Sequence, residues 1–232
     1  MVHMNGRIAF RLAAALCLLG ASAVSHAGCQ DKPAAGVNWT DCEKLRLILR
    51  KAELQGAKMA NADLGGSDLE GANLAGADLS RASVDRARFA GADLSRAKLV
   101  QLIAYRANFS KAKLQGADLM KAEAARSLFT GADLSGANLV KAEFQRASLE
   151  DAVLKDANLT GADLARANLA KAQLAGARLA NARIFLTRIE GVDLSAALGL
   201  TQSQIDSACG DKRTVLPKGL KTPTTWPCAK DN

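Results

Sequence analysis

The chain has 232 residues, a formal charge of +8 and 49% hydrophobic residues, with only two histidines and five cysteines. Both histidines, His3 and His26, fall within residues 1–27; everything beyond lacks imidazole, which excludes Ser-His-Asp and Cys-His nucleophiles and His-ligated metal centres there. The positive charge is thinly spread, with 19 Lys and Arg against 17 Asp and Glu over 52–197, too diffuse for a nucleic-acid groove.

Residues 1–27 read as a secretory signal. Arg7 and Arg11 precede an apolar stretch from Leu12 to Leu19, and Ser25-His26-Ala27 forms a small-x-small ending, so cleavage is expected after Ala27. A retained anchor is the competing outcome, but the apolar stretch is too short to span a bilayer comfortably. Lipidation at Cys29 is another, disfavoured because His26 stands where such processing sites want an aliphatic residue. The expected destination is the periplasm or the medium. Cleavage removes Cys17 and lowers the charge to +6, leaving Cys29, Cys42, Cys209 and Cys228 as one pair near each end. An even count in an exported chain reads as two disulfides, and three connectivities exist. The short separations favour Cys29 with Cys42 and Cys209 with Cys228. A four-thiolate metal site competes, but no CxxC pair supports it.

Residues 28–51 are expected to form an N-terminal cap. Trp39 plugs the mouth of the adjoining repeat region, and Leu45, Leu47 and Leu49 alternate inward against it.

Over 52–197 a large apolar residue recurs at every fifth position. Writing that position i, it occurs 29 times from Leu54 to Leu194 without insertion, as 19 Leu, 4 Phe, 2 Ile, 2 Ala, 1 Met and 1 Val, and i−2 is Ala in 24 of the 29. A helix would rotate successive i residues out of any single stripe, and a strand would alternate them between faces. The pattern instead describes a short extended step, inward at i−2 and i, followed by a two-residue bend at i+1 and i+2 where Gly is frequent. If each pentad turns the chain by a right angle, four make a square coil of 20 residues, and coils stack at roughly 4.8 Å. About seven coils give a rod of about 34 Å.

The size pattern supports four sides. Phe89, Phe109 and Phe129 lie 20 apart, and the neighbouring column holds the smaller Val84, Ala104 and Ala124. In the odd pentad "LIAYR", Leu102 and Ala104 exchange sizes and conserve volume.

The same register stacks outward residues. One i+2 corner reads Arg86, Arg106, Arg126, Arg146 and Arg166, with Glu123, Glu143 and Asp163 in a neighbouring i−1 column. A solvated, salt-bridged edge is the plain reading; an anion-binding ridge for phosphate- or carboxylate-bearing polymers is the sharper one. Val100, Met120 and Val140 share an i+1 column, and Ile103, Tyr105 and Leu128 also face outward, a patch suited to a protein partner or a second copy of the chain. Paired carboxylates such as Glu150 and Asp151 recur with the repeat and read as corner solvation, and a rod packed with Ala and Leu is expected to lack a ligand-sized cavity.

At 198–232, Thr201 and Gln204 form a capping-box pattern opening a short helix to about Ala208, followed by a Pro- and Gly-punctuated tail.

The strings "GADLSGANL", "GADLARANL" and "GANLAGADL" resemble the pentapeptide-repeat family, and about 145 residues follow that pattern. The resemblance implies an all-β, right-handed quadrilateral parallel β-helix. The flanks "NWTDCEKLRLIL" and "LTQSQIDSACGDKRTVLPKGL" also resemble end segments of exported bacterial members. The resulting expectation is an exported, non-enzymatic scaffold or binding protein, with no catalytic residue, cofactor or metal, whose partner is a protein or an anionic envelope polymer. Cytosolic relatives that mimic DNA and engage topoisomerases imply a second role, disfavoured here by the export signal and basic charge. A subunit of an envelope enzyme complex is a third.

Overall fold

In a computed structural model, residues 28–228 are described; the expected signal segment, residues 1–27, and its expected cleavage after Ala27 lie outside them. The pentads form the four-sided coil. Parallel bridges link i−1 residues 20 apart, from Asn38–Lys58 to Arg178–Leu198. The i−2 and i side chains are almost all buried, in one continuous core.

Backbone hydrogen bonding explains the period. In the pentad around Leu54, the N–H of Leu54 donates to Asn73 O (2.7 Å), that of Gly56 to Ala75 O (2.9 Å), and that of Lys58 to Val37 O (2.8 Å), all in adjacent coils. The N–H of Ala57 closes the turn onto Leu54 O at 3.1 Å. Only the i+1 N–H has no main-chain acceptor, and a backbone donor without a partner is costly. Wherever Asp or Asn occupies i−1, its side chain takes that proton: Asp78 Oδ1 from Ser80 (3.0 Å), Asp93 from Ser95 (3.0 Å), Asn108 from Ser110 (2.9 Å) and Asp163 from Ala165 (2.9 Å). The Asp/Asn preference of the repeat at i−1 is thus an Asx turn, a role separate from that of corner carboxylates such as Glu150 and Asp151. Burial pulls the carboxyls of Asp78, Asp93 and Asp133 upward, but hydrogen bonds from the serine hydroxyl and backbone two residues on outweigh it and hold them below the usual carboxylate range.

The bend places i+2 at positive φ. Twenty non-glycine residues among those described adopt it, and thirteen are Lys or Arg. Left-handed geometry costs a non-glycine residue about 1–2 kcal/mol, which glycine avoids only by losing more conformational freedom on folding. The corners therefore tolerate long basic side chains, which extend into solvent.

The phenylalanines stack as the size pattern predicts. Phe89 and Phe109 rings lie 4.9 Å apart, Phe109 and Phe129 4.8 Å apart, both nearly parallel. Where that column changes to Leu149, the bulk moves to Phe144 in the neighbouring column, which meets Phe129 at 5.0 Å and 45°. Leu102 and Ala104 are both buried, as the volume exchange requires.

The ends differ from expectation in extent. The ladder starts at Asn38, inside the segment assigned to a cap, so the coil begins most of a turn earlier than 52. Trp39 is fully buried and plugs the mouth. Leu49 faces inward, but Leu45 is 43% exposed, because it occupies an i+1 corner, not an inward site. The inward position between Trp39 and Leu49 belongs to Lys44, whose amine lies 4.4 Å from the Trp39 ring and donates to Cys29 O. Only an end coil permits this, since the stem can be buried while the head reaches out.

At the other end α1 (Gln202–Ser207) replaces one wall, with the Thr201–Gln204 capping box in place. Gln204 Nε2 also donates to Leu179 O (3.0 Å) and Ala182 O (2.8 Å), closing carbonyls of the last coil. The tail then rejoins the ladder, Cys209 pairing with Arg188 and Val215 with Asp193. Trp226 Nε1 donates to Ala208 O at 2.7 Å, and its ring lies against Gly210, where a Cβ would approach it to 2.4 Å. The cysteine pairs sit at opposite ends at disulfide distance, Cα–Cα 5.5 Å for Cys29–Cys42 and 5.3 Å for Cys209–Cys228. A single four-thiolate site is therefore impossible.

Candidate functional site

The core is fully used in packing, so only corners and wall centres remain to meet a partner. Arg86, Arg106, Arg126, Arg146 and Arg166 follow one another along a single corner, all exposed and all with φ between 56° and 60°. Successive members are roughly 4.8 Å apart along the rod. Stacked like charges repel, and the acids expected beside them do not pair with them: among the described residues none of the five guanidiniums makes an ion pair. Asp163 instead pairs with Arg183 at 3.1 Å and accepts from Gln145 at 3.0 Å. Some wall cations are matched, as Arg88 is with Glu70 at 2.9 Å and Lys113 with Asp93 at 3.7 Å, while Lys58, Lys98 and Arg178 make no ion pair among the described residues. Arg106 additionally lies 5.1 Å from the Tyr105 ring.

The ridge reaches further than the five expected arginines. Arg46 stands in the same column, separated from Arg86 by Gly66. Counting back in steps of 20 from Arg86 would have found it. At the missing rung both corner residues, Gly65 and Gly66, lack side chains, and the wall opens into a surface notch of ≈ 440 Å³. A ligand-sized cavity was not expected, and the correction has a simple cause: the space lies outside the packed rod, where two side chains are absent.

The apolar residues do not form one patch. Val100, Met120 and Val140 line one edge and are half-buried; Ile103, 40% exposed, sits at the centre of the adjoining wall, with Ser83 and Glu123 as its ladder neighbours. Tyr105 lies at the far edge of that wall, and Leu128 is on the next wall, beyond the arginine corner. Their outward placement agrees with the register, but polar rungs and the ridge divide them.

The repeat itself matches the sequence pattern of pentapeptide repeats in 8 copies, over 48–86, 87–123, 127–164, 147–184 and 162–197. The chain belongs to the pentapeptide-repeat family. Its coil is accordingly the right-handed quadrilateral β-helix of that family. A similar solved structure is HetL, a pentapeptide-repeat protein involved in heterocyst differentiation regulation from the cyanobacterium Nostoc sp. strain PCC 7120, 29% identical, covering 81% of this chain and 86% of that one, with a TM-score of 0.57. QnrB1, a plasmid-mediated fluoroquinolone resistance protein, is 19% identical over 78% of this chain and 90% of its own, with a TM-score of 0.42. A pentapeptide-repeat protein of the Arabidopsis thaliana thylakoid lumen is 24% identical over 56% of this chain and 82% of its own, with a TM-score of 0.37. No curated protein matches the sequence significantly. Within this pentapeptide-repeat rod the repeat positions are structural, and the departures from it, the ridge and its notch, are where recognition chemistry can reside.

Proposed function

We propose that the protein is an exported, non-enzymatic binding scaffold whose arginine ridge holds an anionic polymer of the cell envelope. The observation that carries this reading is the column Arg86, Arg106, Arg126, Arg146 and Arg166, exposed and without ion-pair partners among the described residues. Guanidinium forks bind carboxylate, sulfate and phosphate groups bidentately, and a rigid solenoid presents them at a constant rise without the ordering cost of a flexible chain. The signal-like residues 1–27 and the cysteine pairs near both ends support an oxidising, extracytoplasmic setting.

Replacing Arg106, Arg126 and Arg146 together by Gln tests the reading. The triple variant should lose retention on immobilised heparin and lipopolysaccharide at salt concentrations that hold the wild type. Elution at an unchanged salt concentration would end it.

A further inference from the structure

We infer that the Gly65–Gly66 notch is a binding site for a single carboxylated sugar ring, a uronic-acid unit, at the point where the ridge is interrupted. The notch takes its anion from the polymer class assigned to the ridge, and so rests on that reading for its biological ligand. Its own chemistry is distinct.

The floor is glycine backbone flanked by the Leu45 side chain and the Asp63 carboxylate. Gly65 and Gly66 form the one bend among the described pentads in which both corner residues are glycine. Arg46 and Arg86 stand one coil to either side of Gly66, roughly 10 Å apart in rise, and neither makes an ion pair among the described residues. Both guanidiniums are therefore free to close on one carboxylate from two directions.

The walls carry groups that a simple anion does not need. Asp63 Oδ1 accepts from the N–H of Gly65 at 2.9 Å, and Asp85 Oδ1 accepts from the N–H of Tyr105 at 2.8 Å. The second bond exists because Ile103 stands where an Asp or Asn would otherwise serve Tyr105. Each bond fixes a carboxylate in place and leaves its Oδ2 without a hydrogen bond among the described residues, an acceptor for a hydroxyl. The two carboxylates balance Arg46 and Arg86 in charge, so a phosphate dianion gains little there, whereas a ring with a single negative charge and several hydroxyls meets both donors and acceptors. Ser83 adds a donor, while Tyr105 and Leu45 give the apolar surface on which a ring face can lie. A volume of ≈ 440 Å³ is in the range that takes a small ligand.

One substitution separates notch from ridge. Gly66→Arg installs the residue that five later coils carry at this corner, and a Cβ there would meet only Arg46 Cγ at 3.4 Å, so the fold should persist. It fills the notch while adding a charge to the ridge. The isotope-labelled full chain would be titrated with sodium glucuronate, with glucose and with acetate, following the amide resonances of Gly65, Gly66 and Tyr105. Glucuronate should move these resonances saturably, whereas glucose and acetate at equal concentration should not. Arg46→Gln and Tyr105→Ala should each weaken the glucuronate response about tenfold, and Gly66→Arg should abolish it while heparin retention stays equal or rises. No response to glucuronate, an equal response to acetate, or an unchanged response in Gly66→Arg would overturn the assignment. Loss of heparin retention in the ridge triple variant, with the glucuronate response intact, would leave both readings standing and separately demonstrated.

Discussion

Three buried hydroxyls illustrate how finely single positions are set. Ser67, Ser127 and Thr187 all occupy one inward column, each where alanine is the rule, and each hydroxyl donates to a carbonyl of the preceding coil: Lys44 O at 2.9 Å, Ala104 O, and Leu164 O at 2.7 Å. A buried hydroxyl without such a partner would be destabilising, so these positions accept polarity only because the neighbouring turn offers an acceptor. The phenylalanine stack is less forgiving. Phe109 is 1% exposed and held between two parallel rings, so Phe109→Ala should cost about 3–5 kcal/mol. Phe109→Leu should cost less, because it leaves a smaller void. Denaturant unfolding of the two variants measures both, and equal midpoints with wild type would show that the stack is dispensable. The i−1 Asp and Asn residues are plain in the repeat, yet their task is not, since a sequence does not state which N–H lacks an acceptor. The same holds for Gly65–Gly66: two glycines in a glycine-rich repeat draw attention only once the arginines on either side are aligned.

At the level of elements, the two ends solve the problem of an open ladder differently. The N-terminal end is closed by Trp39, with Lys44 reaching over it to the Cys29 carbonyl. The C-terminal end is closed by α1, whose Gln204 serves the capping box and two coil carbonyls at once, and by a tail that pairs twice more with the ladder. That tail is also fastened electrostatically. Burial alone would raise the Asp211 carboxyl, but hydrogen bonds from the Arg213 side chain and from the N–H groups of Arg213 and Gly191 hold it at about 2. A carboxyl lowered in the folded state stabilises above its unfolded value and loses that contribution only as pH falls toward 2, so the tail should stay docked throughout the mildly acidic range. Linking Cys209 to Cys228 and Cys29 to Cys42 should add about 3 kcal/mol each in the chain-entropy picture. Reduction should therefore lower the melting temperature by several degrees, and an unchanged value would show that the paired thiols do not fasten the ends. The helix was legible because a capping box is a local pattern. The resumption of pairing at Cys209 and Val215 was not, because the intervening residues break the five-residue count.

For the whole molecule, a uniform cross-section means that function must lie in what varies along the surface. One corner gathers six of the arginines into an interrupted line, while the exposed apolar residues, Ile48, Ile103, Leu128, Phe185 and Leu198 among them, are dispersed along the rod and over several walls. That distribution favours an extended charged ligand over a compact apolar partner. It also differs in sign from what the family resemblance implies for DNA-mimicking relatives. The export reading belongs to this scale too: the mature protein should be recovered from the envelope or medium fraction with Gly28 at its N-terminus. Recovery of uncleaved chain from the cytoplasm would revive the topoisomerase reading.

Period, composition and the stepping of large against small residues determined the square coil, its inward residues and its stacked arginines, because in a solenoid each residue's neighbours lie at a constant offset of 20. Tertiary structure alone decided where the ladder begins, that the ridge arginines lack ion-pair partners among the described residues, and that Gly65–Gly66 opens a notch between Arg46 and Arg86. Those facts depend on side-chain direction and on contacts between coils, which a constant offset permits but does not specify.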